Sequence, residues 1–443
     1  MVKEKAMSKA FLAIAALCLI VVQLPAVQFA IPIDPKDNNS NKVHAHGGCV
    51  LKEGNTYYWF GEAPRFYPGP QNYGGFDGVN CYSSTDLQNW HFEGKVLSPR
   101  STHPLSHDCC AYRPKVIYNS STSKYVLILT EACNDYSGHL VFATSSTING
   151  TYTYQGWGYG AGNSNPMDMT AFKDDDGSAY VIYSNSNSNI AIDRLSSDYL
   201  TVASRVTTIG SGCEEGPGMF KSGGRYFLIT SYCSYWSPNQ NGYRTSTSIS
   251  SGWSSLRNGN IGNSDTYGSQ NGQMFAVTGM SGTTWIYNGD RWSCSSNWCD
   301  GYANSKYVWL PLTVNGSSLT LNGGPDGYSW HLAIAAGTWS ANPTSATADS
   351  KNSRSTRERF ANSAPKAGKQ AVFPSLAHGT ISLAAPEDWR YWCDLIDATG
   401  RIRLSYAGKG NCVKSIAGLP ESVYMLRISQ APGIPAELII LNR

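Results

Sequence analysis

The chain is short of charge, and outside its first residues it has no long apolar run. Of its 443 residues only 15% are charged, and the formal net charge is +3. A balance this small gives no electrostatic footprint for nucleic acid, so no nucleic-acid partner is expected. Metal-binding patterns are also missing. No C-x-x-C pair recurs and no His lies at ligand spacing beside the cysteines, so no metal and no cofactor are predicted. The run Asp174-Asp175-Asp176-Gly177 lacks the downstream Glu of a calcium loop and reads as a hairpin turn. What is abundant instead is Gly, Ser, Asn, Tyr and Trp, the composition of a turn-rich β protein and not of a helical bundle. Thirteen Trp and 27 Tyr are enough both to pack a core and to offer flat faces to sugars, whose C–H faces suit aromatic rings.

The N-terminus has the layout of a secretory signal over residues 1–30. Lys3, Lys5 and Lys9 precede an apolar stretch over residues 10–22 that is short for a membrane span, with cleavage after Ala26 or Ala30. An uncleaved anchor is the alternative, and Cys18 is a poor match to a lipoprotein site. The expected location is therefore secreted, extracellular or at the cell surface. Export permits disulfides among the 12 cysteines. Cys294 and Cys299 can close a small loop, while Cys109 and Cys110 face Cys81, Cys133 or neither as partners.

From residue 43 to residue 341 a weak repeat is legible. Aromatic and β-branched runs recur at Tyr57-Tyr58-Trp59-Phe60, Tyr125-Val126-Leu127-Ile128-Leu129, Ala179-Tyr180-Val181-Ile182-Tyr183, Tyr226-Phe227-Leu228-Ile229-Thr230 and Thr284-Trp285-Ile286-Tyr287. Turn signals precede several of them: Glu53-Gly54-Asn55, Asp176-Gly177 and Gly223-Gly224. Five units of about four short strands predict an all-β fold, a five-bladed β-propeller closed radially. A β-sandwich is the competing architecture, but it leaves five cycles unexplained. Residues 342–371 break the pattern with Ser, Ala, Lys, Arg and Asn and read as a linker. Residues 372–443 read as a small C-terminal β module.

Chemistry concentrates at Cys213-Glu214-Glu215-Gly216-Pro217-Gly218. A proline restricts the residue before it, so Glu215 sits on constrained backbone where a loop meets a strand, suited to pointing into a cleft. If the abundant aromatic faces hold sugars, cleaving a glycosidic bond would need an acid for the leaving oxygen and, with inversion, a group on the far side that activates water. The acid must stay protonated near neutral pH, through burial or a nearby carboxylate. Glu215 fits. Glu214, adjacent on an extended strand, points to the opposite face and is the lesser alternative.

Taken in order, Ala45-His46-Gly47-Gly48, Tyr57-Tyr58-Trp59-Phe60-Gly61-Glu62, Arg113-Pro114-Lys115-Val116-Ile117-Tyr118-Asn119, Asp168-Met169-Thr170-Ala171-Phe172, Glu215-Gly216-Pro217, Trp236-Ser237-Pro238-Asn239, Ser269-Gln270, Gly289-Asp290-Arg291-Trp292 and Tyr307-Val308-Trp309-Leu310-Pro311-Leu312 resemble glycoside hydrolase family 43, and within it the exo-β-1,3-galactanase group. The resemblance implies a five-bladed propeller with Glu215 as the acid and Asp168 as the carboxylate that orients it and raises its pKa. It makes Gln270 the group handling water, with an imidic-acid tautomer as one form, and Glu62 a group that binds substrate hydroxyls or helps hold the water. Both this chain and the galactanase group lack the first-blade Asp of the wider family.

The chain departs from the group at Tyr112, where a Glu usually precedes Arg-Pro-Lys-Val; Asp108 is the candidate substitute. Ser234-Tyr235-Trp236 also departs from the usual Thr-Gly-Trp; Ser234 and Tyr112 are substrate-binding candidates, and Trp236 is a sugar platform or a packing residue. His46 has three roles open: structural, pocket donor or metal ligand. Asp397-Ala398-Thr399-Gly400-Arg401 and Val423-Tyr424-Met425-Leu426-Arg427-Ile428 resemble bacterial C-terminal sorting modules, which implies contact with secretion machinery.

Together these imply a secreted, inverting exo-glycosidase acting on β-1,3-galactosidic bonds in galactan or arabinogalactan, or on other hemicellulose side chains of plant cell-wall polysaccharide. An α-L-arabinofuranosidase or β-xylosidase is the same-fold rival, kept open by Tyr112. A non-catalytic glycan-binding propeller is the rival of a different class.

Overall fold

In each of the five repeats, the apolar run becomes the second strand of a four-stranded antiparallel sheet. The computed structural model describes residues 26–341 except 64–74, 108, 133–136, 259–260 and 295–301, and beyond them the backbone of strands between 373 and 442. Strand β1 (Val27–Ala30) comes first. The first sheet is β2 (His46–Glu53), β3 (Thr56–Glu62), β4 (Val79–Ser84) and β5 (His91–Leu97). The second is β6 (Cys110–Asn119), β7 (Lys124–Ala132), β8 (Gly138–Ser145) and β9 (Thr153–Gly158). The third is β10 (Pro166–Lys173), β11 (Ala179–Asn185), β12 (Asn189–Leu195) and β13 (Val202–Ile209). The fourth is β14 (Glu214–Ser222), β15 (Arg225–Tyr232), β16 (Gly242–Ser246) and β17 (Arg257–Asn258). The fifth is β18 (Gln270–Thr278), β19 (Thr283–Arg291), β20 (Lys306–Asn315) and β21 (Ser318–Leu321). Among the described residues the only helical turn is Tyr302–Asn304.

Each sheet uses four consecutive strands, so tight turns suffice to build it. The β14–β15 hairpin turns at Gly223 and Gly224, with φ of +57° and +72°, which suits the turns that match strand twist. The Asp174–Gly177 run is a hairpin turn as well: Asp174 takes the Gly177 N–H and donates its own to Ser178 O. The second strands are covered on both faces, which is why their sequences are nearly continuous apolar runs; Val181, Ile182 and Tyr183 are all 0% exposed.

The sheets meet through their first strands. β2 packs on β6, β6 on β10, β10 on β14, β14 on β18, and β18 returns to β2. Their seams are filled by aromatic and branched side chains, most heavily where the fifth sheet meets the first: Trp59, Trp90 and Trp309 pack together there. The chain ends of this unit meet in an added sheet, where β1 pairs with β22 (Ser329–Ala333) and β22 with β23 (Thr338–Ala341). Phe29 of β1 stacks on Trp330 at 4.8 Å. Val27–Ala30 pair in this sheet, so cleavage after Ala30 would remove strand β1 and its buried Phe29, whereas cleavage after Ala26 would leave them. Residues 1–25 and the linker over 342–371 lie outside the described residues.

The tail is β too. Strands β24 (Phe373–Ala377), β25 (Thr380–Ala384) and β28 (Cys412–Ser415) form one sheet, and β27 (Ile402–Lys409), β26 (Arg390–Asp397), β29 (Val423–Gln430) and β30 (Glu437–Asn442) another.

One feature recurs in all five first strands. The register with the second strand breaks near the start, between His46 and Cys49, Tyr112 and Lys115, Pro166 and Met169, Glu215 and Gly218, and Asn271 and Gln273. Such bulges bend a strand and re-aim its side chains. Here they turn five strand starts toward one shared end of the ring.

Candidate active site

Arg113 assembles the site. It follows Tyr112 at the break in β6, is 3% exposed, and has a φ of +56°, a conformation that a non-glycine residue keeps only when its surroundings hold it there. Its guanidinium grips Asp168 as a fork, Nε to Oδ1 and Nη2 to Oδ2, both at 2.7 Å, the strong bidentate form of an ion pair. Nη2 also donates to Gln270 Oε1 at 2.8 Å, and Nη1 to the Asn271 carbonyl at 2.9 Å. Its backbone N–H donates to Glu62 Oε1 at 2.8 Å. One residue thus joins the first, second, third and fifth sheets.

The fourth sheet enters through Asp168. The N–H of Gly216 donates to Asp168 Oδ2 at 2.9 Å, so the peptide after Glu215 is anchored on that carboxylate. Gly216 has a φ of +52°, and a Cβ there would stand 2.9 Å from the Asn271 carbonyl, so this step in the Glu-Gly-Pro run needs glycine. Glu215 therefore sits beside Asp168. Burial first, and then the like charge of Asp168, push its pKa up to about 8, against the pull of Arg113. A carboxyl in that state holds its proton at neutral pH and can give it up during a reaction.

Gln270, the first residue of β18, is held at both ends. Its Oε1 accepts from Arg113 and from Trp292 Nε1 at 2.9 Å, and its Nε2 donates to Ser231 Oγ at 3.1 Å. Two donors on one atom identify it as the carbonyl oxygen. These contacts match the ordinary amide, whose carbonyl oxygen accepts both N–H groups. Glu62 closes the other side. Its Oε1 takes the Arg113 N–H and its Oε2 the Tyr302 hydroxyl at 2.5 Å. Burial raises its pKa to about 7, while those two donors hold it lower than burial alone would.

His46 is fully buried and pairs Nδ1 with Asp290 Oδ1 at 2.9 Å; Asp290 Oδ2 takes the Gly47 N–H at 3.0 Å. Its ring stacks on Tyr307 at 4.5 Å and meets Tyr302 edge-on at 5.2 Å. These contacts make it part of the wall behind Glu62, which it opposes in the β2–β3 register. Among the described residues no group of His, Cys, Asp and Glu is placed to hold a metal. Beneath lies Lys115, buried, donating to Gly47 O at 2.5 Å, with burial lowering its pKa to about 8.

Trp236 is half-buried and meets Trp292 edge-on at 5.2 Å, while Trp292 lies 5.3 Å from Tyr302. Together they form an aromatic flank beside Gln270. Tyr112 lies within electrostatic reach of Asp168, Arg113 and Glu62; burial, then Asp168, drive its phenol far above the usual range, so it stays a neutral donor. Asp108, the expected substitute for the missing Glu, lies outside the described residues.

Two expectations change. Ser234 serves its own loop, donating to Ser237 O at 2.5 Å and accepting from Asn239 at 2.6 Å. Glu214, the lesser alternative for the acid, is instead held by Arg244 at 2.5 and 2.7 Å and by Thr230 at 2.8 Å, on the other side of β14. A cleft of about 600 Å³ opens on that side, lined by Thr207, Glu214, Tyr232, Arg244 and Trp253. Glu215 and its partners do not line it.

One disulfide had not been expected from the sequence. Cys213 is bonded to Cys233, which ties the approach to Glu214 and Glu215 to the loop that carries Trp236. Cys81 is a buried free thiol and so is not a partner for Cys109 or Cys110. Cys109 and Cys294 are disulfide-bonded, while Cys133 and Cys299 lie outside the described residues.

Sequence reasoning quoted Arg113, Asp290 and Trp292 only as parts of matching stretches, and it missed Tyr302 and Ser231. The signal for Arg113 was available: Arg and Lys two residues apart at the head of the apolar run Val116-Ile117 are charges that a strand buries only with partners.

The family model described as glycosyl hydrolases family 43 matches residues 44–297. Among solved structures the chain is similar to an exo-β-1,3-galactanase from Clostridium thermocellum, at 28% identity and a TM-score of 0.65, covering 94% of this chain and 86% of that one. It is similar to a family 43 β-1,3-galactosidase solved with galactodeoxynojirimycin, at 28% identity and a TM-score of 0.59, covering 66% of this chain and 98% of that one. An exo-β-1,3-galactanase from Phanerochaete chrysosporium, solved with β-1,3-galactotriose, shares the fold at 24% identity and a TM-score of 0.64, covering 93% and 95%. No curated protein matches.

Proposed function

The chain belongs to glycosyl hydrolase family 43, and from that premise we propose that it is a secreted, inverting exo-glycosidase that removes β-1,3-linked galactose from galactan or arabinogalactan. The observation that carries the chemistry is Glu215 set beside an Asp168 that Arg113 fixes in place, where burial and that like charge raise the Glu215 pKa to about 8. The five sheets are read as the blades of a five-bladed propeller, with the site at the end where the first strands begin.

In the proposed reaction Glu215 passes its proton to the leaving oxygen as the C1–O bond breaks. Water bonds to C1 from the opposite face, which inverts the anomeric centre. Asp168 keeps Glu215 protonated until that moment. Gln270 and Glu62 serve the water side, and of these two only Glu62 can take a proton in the form the hydrogen bonds give it. Trp236 and Trp292 offer the flat surface for the sugar ring.

Galactose as the sugar is supported by the relatives of 28% identity, an exo-β-1,3-galactanase and a β-1,3-galactosidase solved with galactodeoxynojirimycin. A second reading, arabinofuranosidase or xylosidase, is favoured by one observation: Tyr112 brings a neutral phenol where the galactanase group has a carboxylate. Export is supported by the Cys213–Cys233 disulfide, with cleavage after Ala26 and the tail over 372–443 as a sorting module. The test is proton NMR of β-1,3-galactan, arabinan and xylan oligosaccharides from the first minutes of incubation. Galactose released first as the α-anomer supports the proposal. Arabinose or xylose moves the chain to the second reading, and no release of any sugar overturns catalysis.

A further inference from the structure

A second aromatic surface lies at the same end of the ring, away from Glu215. Strand β9 carries Trp157 near its end and Tyr159 follows it; they are 42% and 44% exposed. Exposed aromatics standing singly are ordinary. These two are braced. His139 of β8 meets Trp157 edge-on at 4.4 Å and Tyr159 at 4.5 Å, and His103, from the segment between β5 and β6, meets Trp157 edge-on at 5.1 Å. Both imidazoles close on one carboxylate that is fully buried: His103 Nε2 is 3.1 Å from Glu131 Oε1, and His139 Nδ1 is 3.5 Å from Oε2. The two rings are thus braced by a polar cluster, the buried Glu131 and His139 with the exposed His103, that Glu215 does not need.

The strand register carries this surface back to the active-site end of β6. Glu131 pairs with Ala111, the neighbour of Tyr112, and with His139. Trp157 pairs with Val141, two residues along from His139. Thr130, beside Glu131, donates to Met167 O at 2.8 Å, next to Asp168. Strand β9 is three strands out from β6, which sets Trp157 about 14 Å from Tyr112. That is farther than one sugar ring spans, at the same end of the molecule. A pyranose with an axial hydroxyl, as in galactose, keeps one face of C–H groups that a flat ring can cover.

We propose that Trp157 and Tyr159 form an accessory sugar platform that holds a galactosyl residue of the polymer several units from the bond being cut. The identity of that sugar rests on the galactan reading above. The platform lengthens the contact with a polymer and leaves a disaccharide untouched.

The test uses the full chain and the double variant Trp157→Ala/Tyr159→Ala. Binding is read by affinity electrophoresis in gels containing β-1,3-galactan, arabinan or xylan, with Glu215→Gln in both proteins so that no polymer is consumed. Turnover is read with Glu215 intact, on galactan and on β-1,3-galactobiose. Both side chains are substantially exposed, so thermal unfolding should be little changed, and Trp157→Phe should keep most of the affinity. The expected result is binding to galactan weakened about 10-fold, and kcat/KM on galactan reduced about 10-fold, with galactobiose unchanged. Equal retardation of the two proteins, or an equal fall on galactobiose, overturns the platform. If the protein with native Trp157 and Tyr159 is retarded only by arabinan or xylan, the galactan reading fails. A loss of that retardation in the double variant then still supports the platform, and no loss overturns it. No retardation in any gel overturns it outright.

Discussion

The two faces of β14 hold neighbouring carboxylates in opposite surroundings. Glu214 is 3% exposed, and its oxygens are taken by Arg244 and Thr230. Glu215, one residue on, looks toward Asp168, and burial with that like charge pushes its pKa to about 8. Glu214 is the more deeply buried of the two, so burial alone does not make an acid. What differs is the partner: a bidentate guanidinium satisfies a buried carboxylate, whereas a second carboxylate keeps the first one protonated. The backbone explains how one strand does both, since successive side chains point to opposite faces.

The sharpest way to break this comparison is Glu215→Gln, which keeps the shape and removes the proton. The rate on the best glycan should fall about 1,000-fold or more, with binding in polysaccharide gels retained. Stability should move the other way, and the sign follows from the shift. A carboxyl whose folded pKa is raised from 4.5 to about 8 contributes stability that is complete below pH 4.5 and lost as pH rises through about 8. Glu215→Gln should therefore melt with the unsubstituted protein in acid and at a higher temperature in mild alkali. Equal melting curves in alkali would show that Glu215 is not held against its charge.

Asp168→Asn is the next largest. It removes the like charge and frees Arg113, and both changes lower the pKa of Glu215. The rate should drop about 100-fold, and the alkaline limb of kcat/KM, set by the acid at about 8, should move toward lower pH. A lower rate with the limb unmoved would leave Asp168 a positioning residue only. If Glu62 takes the water's proton, as proposed above, the acidic limb is its own. Its pKa is about 7, so activity should rise through about 7 and fall through about 8. Glu62→Gln should flatten the rise and spare the fall.

Much of this was legible in the chain. The second strands announced themselves because sheets packed on both sides need apolar residues on both faces, as in Tyr180-Val181-Ile182-Tyr183. Glu215 stood out because glycine and proline fix the backbone beside it. What stayed hidden depends on contacts across the ring. Arg113 reaches Asp168 and Gln270, 55 and 157 residues away, and His46 finds Asp290 at a separation of 244. The five strand-start bulges left no mark in the apolar pattern, because a bulge is one residue too many and not a change of residue type. Ser234 was misjudged for a related reason: a hydroxyl beside a platform Trp serves a turn as readily as a ligand.

The smallest effect on rate should come from the other face, and it completes the contrast. Glu214→Gln leaves Arg244 buried with its charge unanswered, which should cost about 3 kcal/mol of stability, seen as a lower denaturation midpoint. Yet Glu214 touches neither Asp168 nor Gln270, so kcat of the folded protein should stay within about twofold, a change near the noise of additivity. Pairing Glu214→Gln with Arg244→Met should recover most of the stability, because the loss comes from an orphaned charge and not from the missing carboxylate. If Glu214→Gln instead silences the enzyme while it remains folded, the acid's position depends on its neighbour's ion pair, and the two faces of β14 are one device.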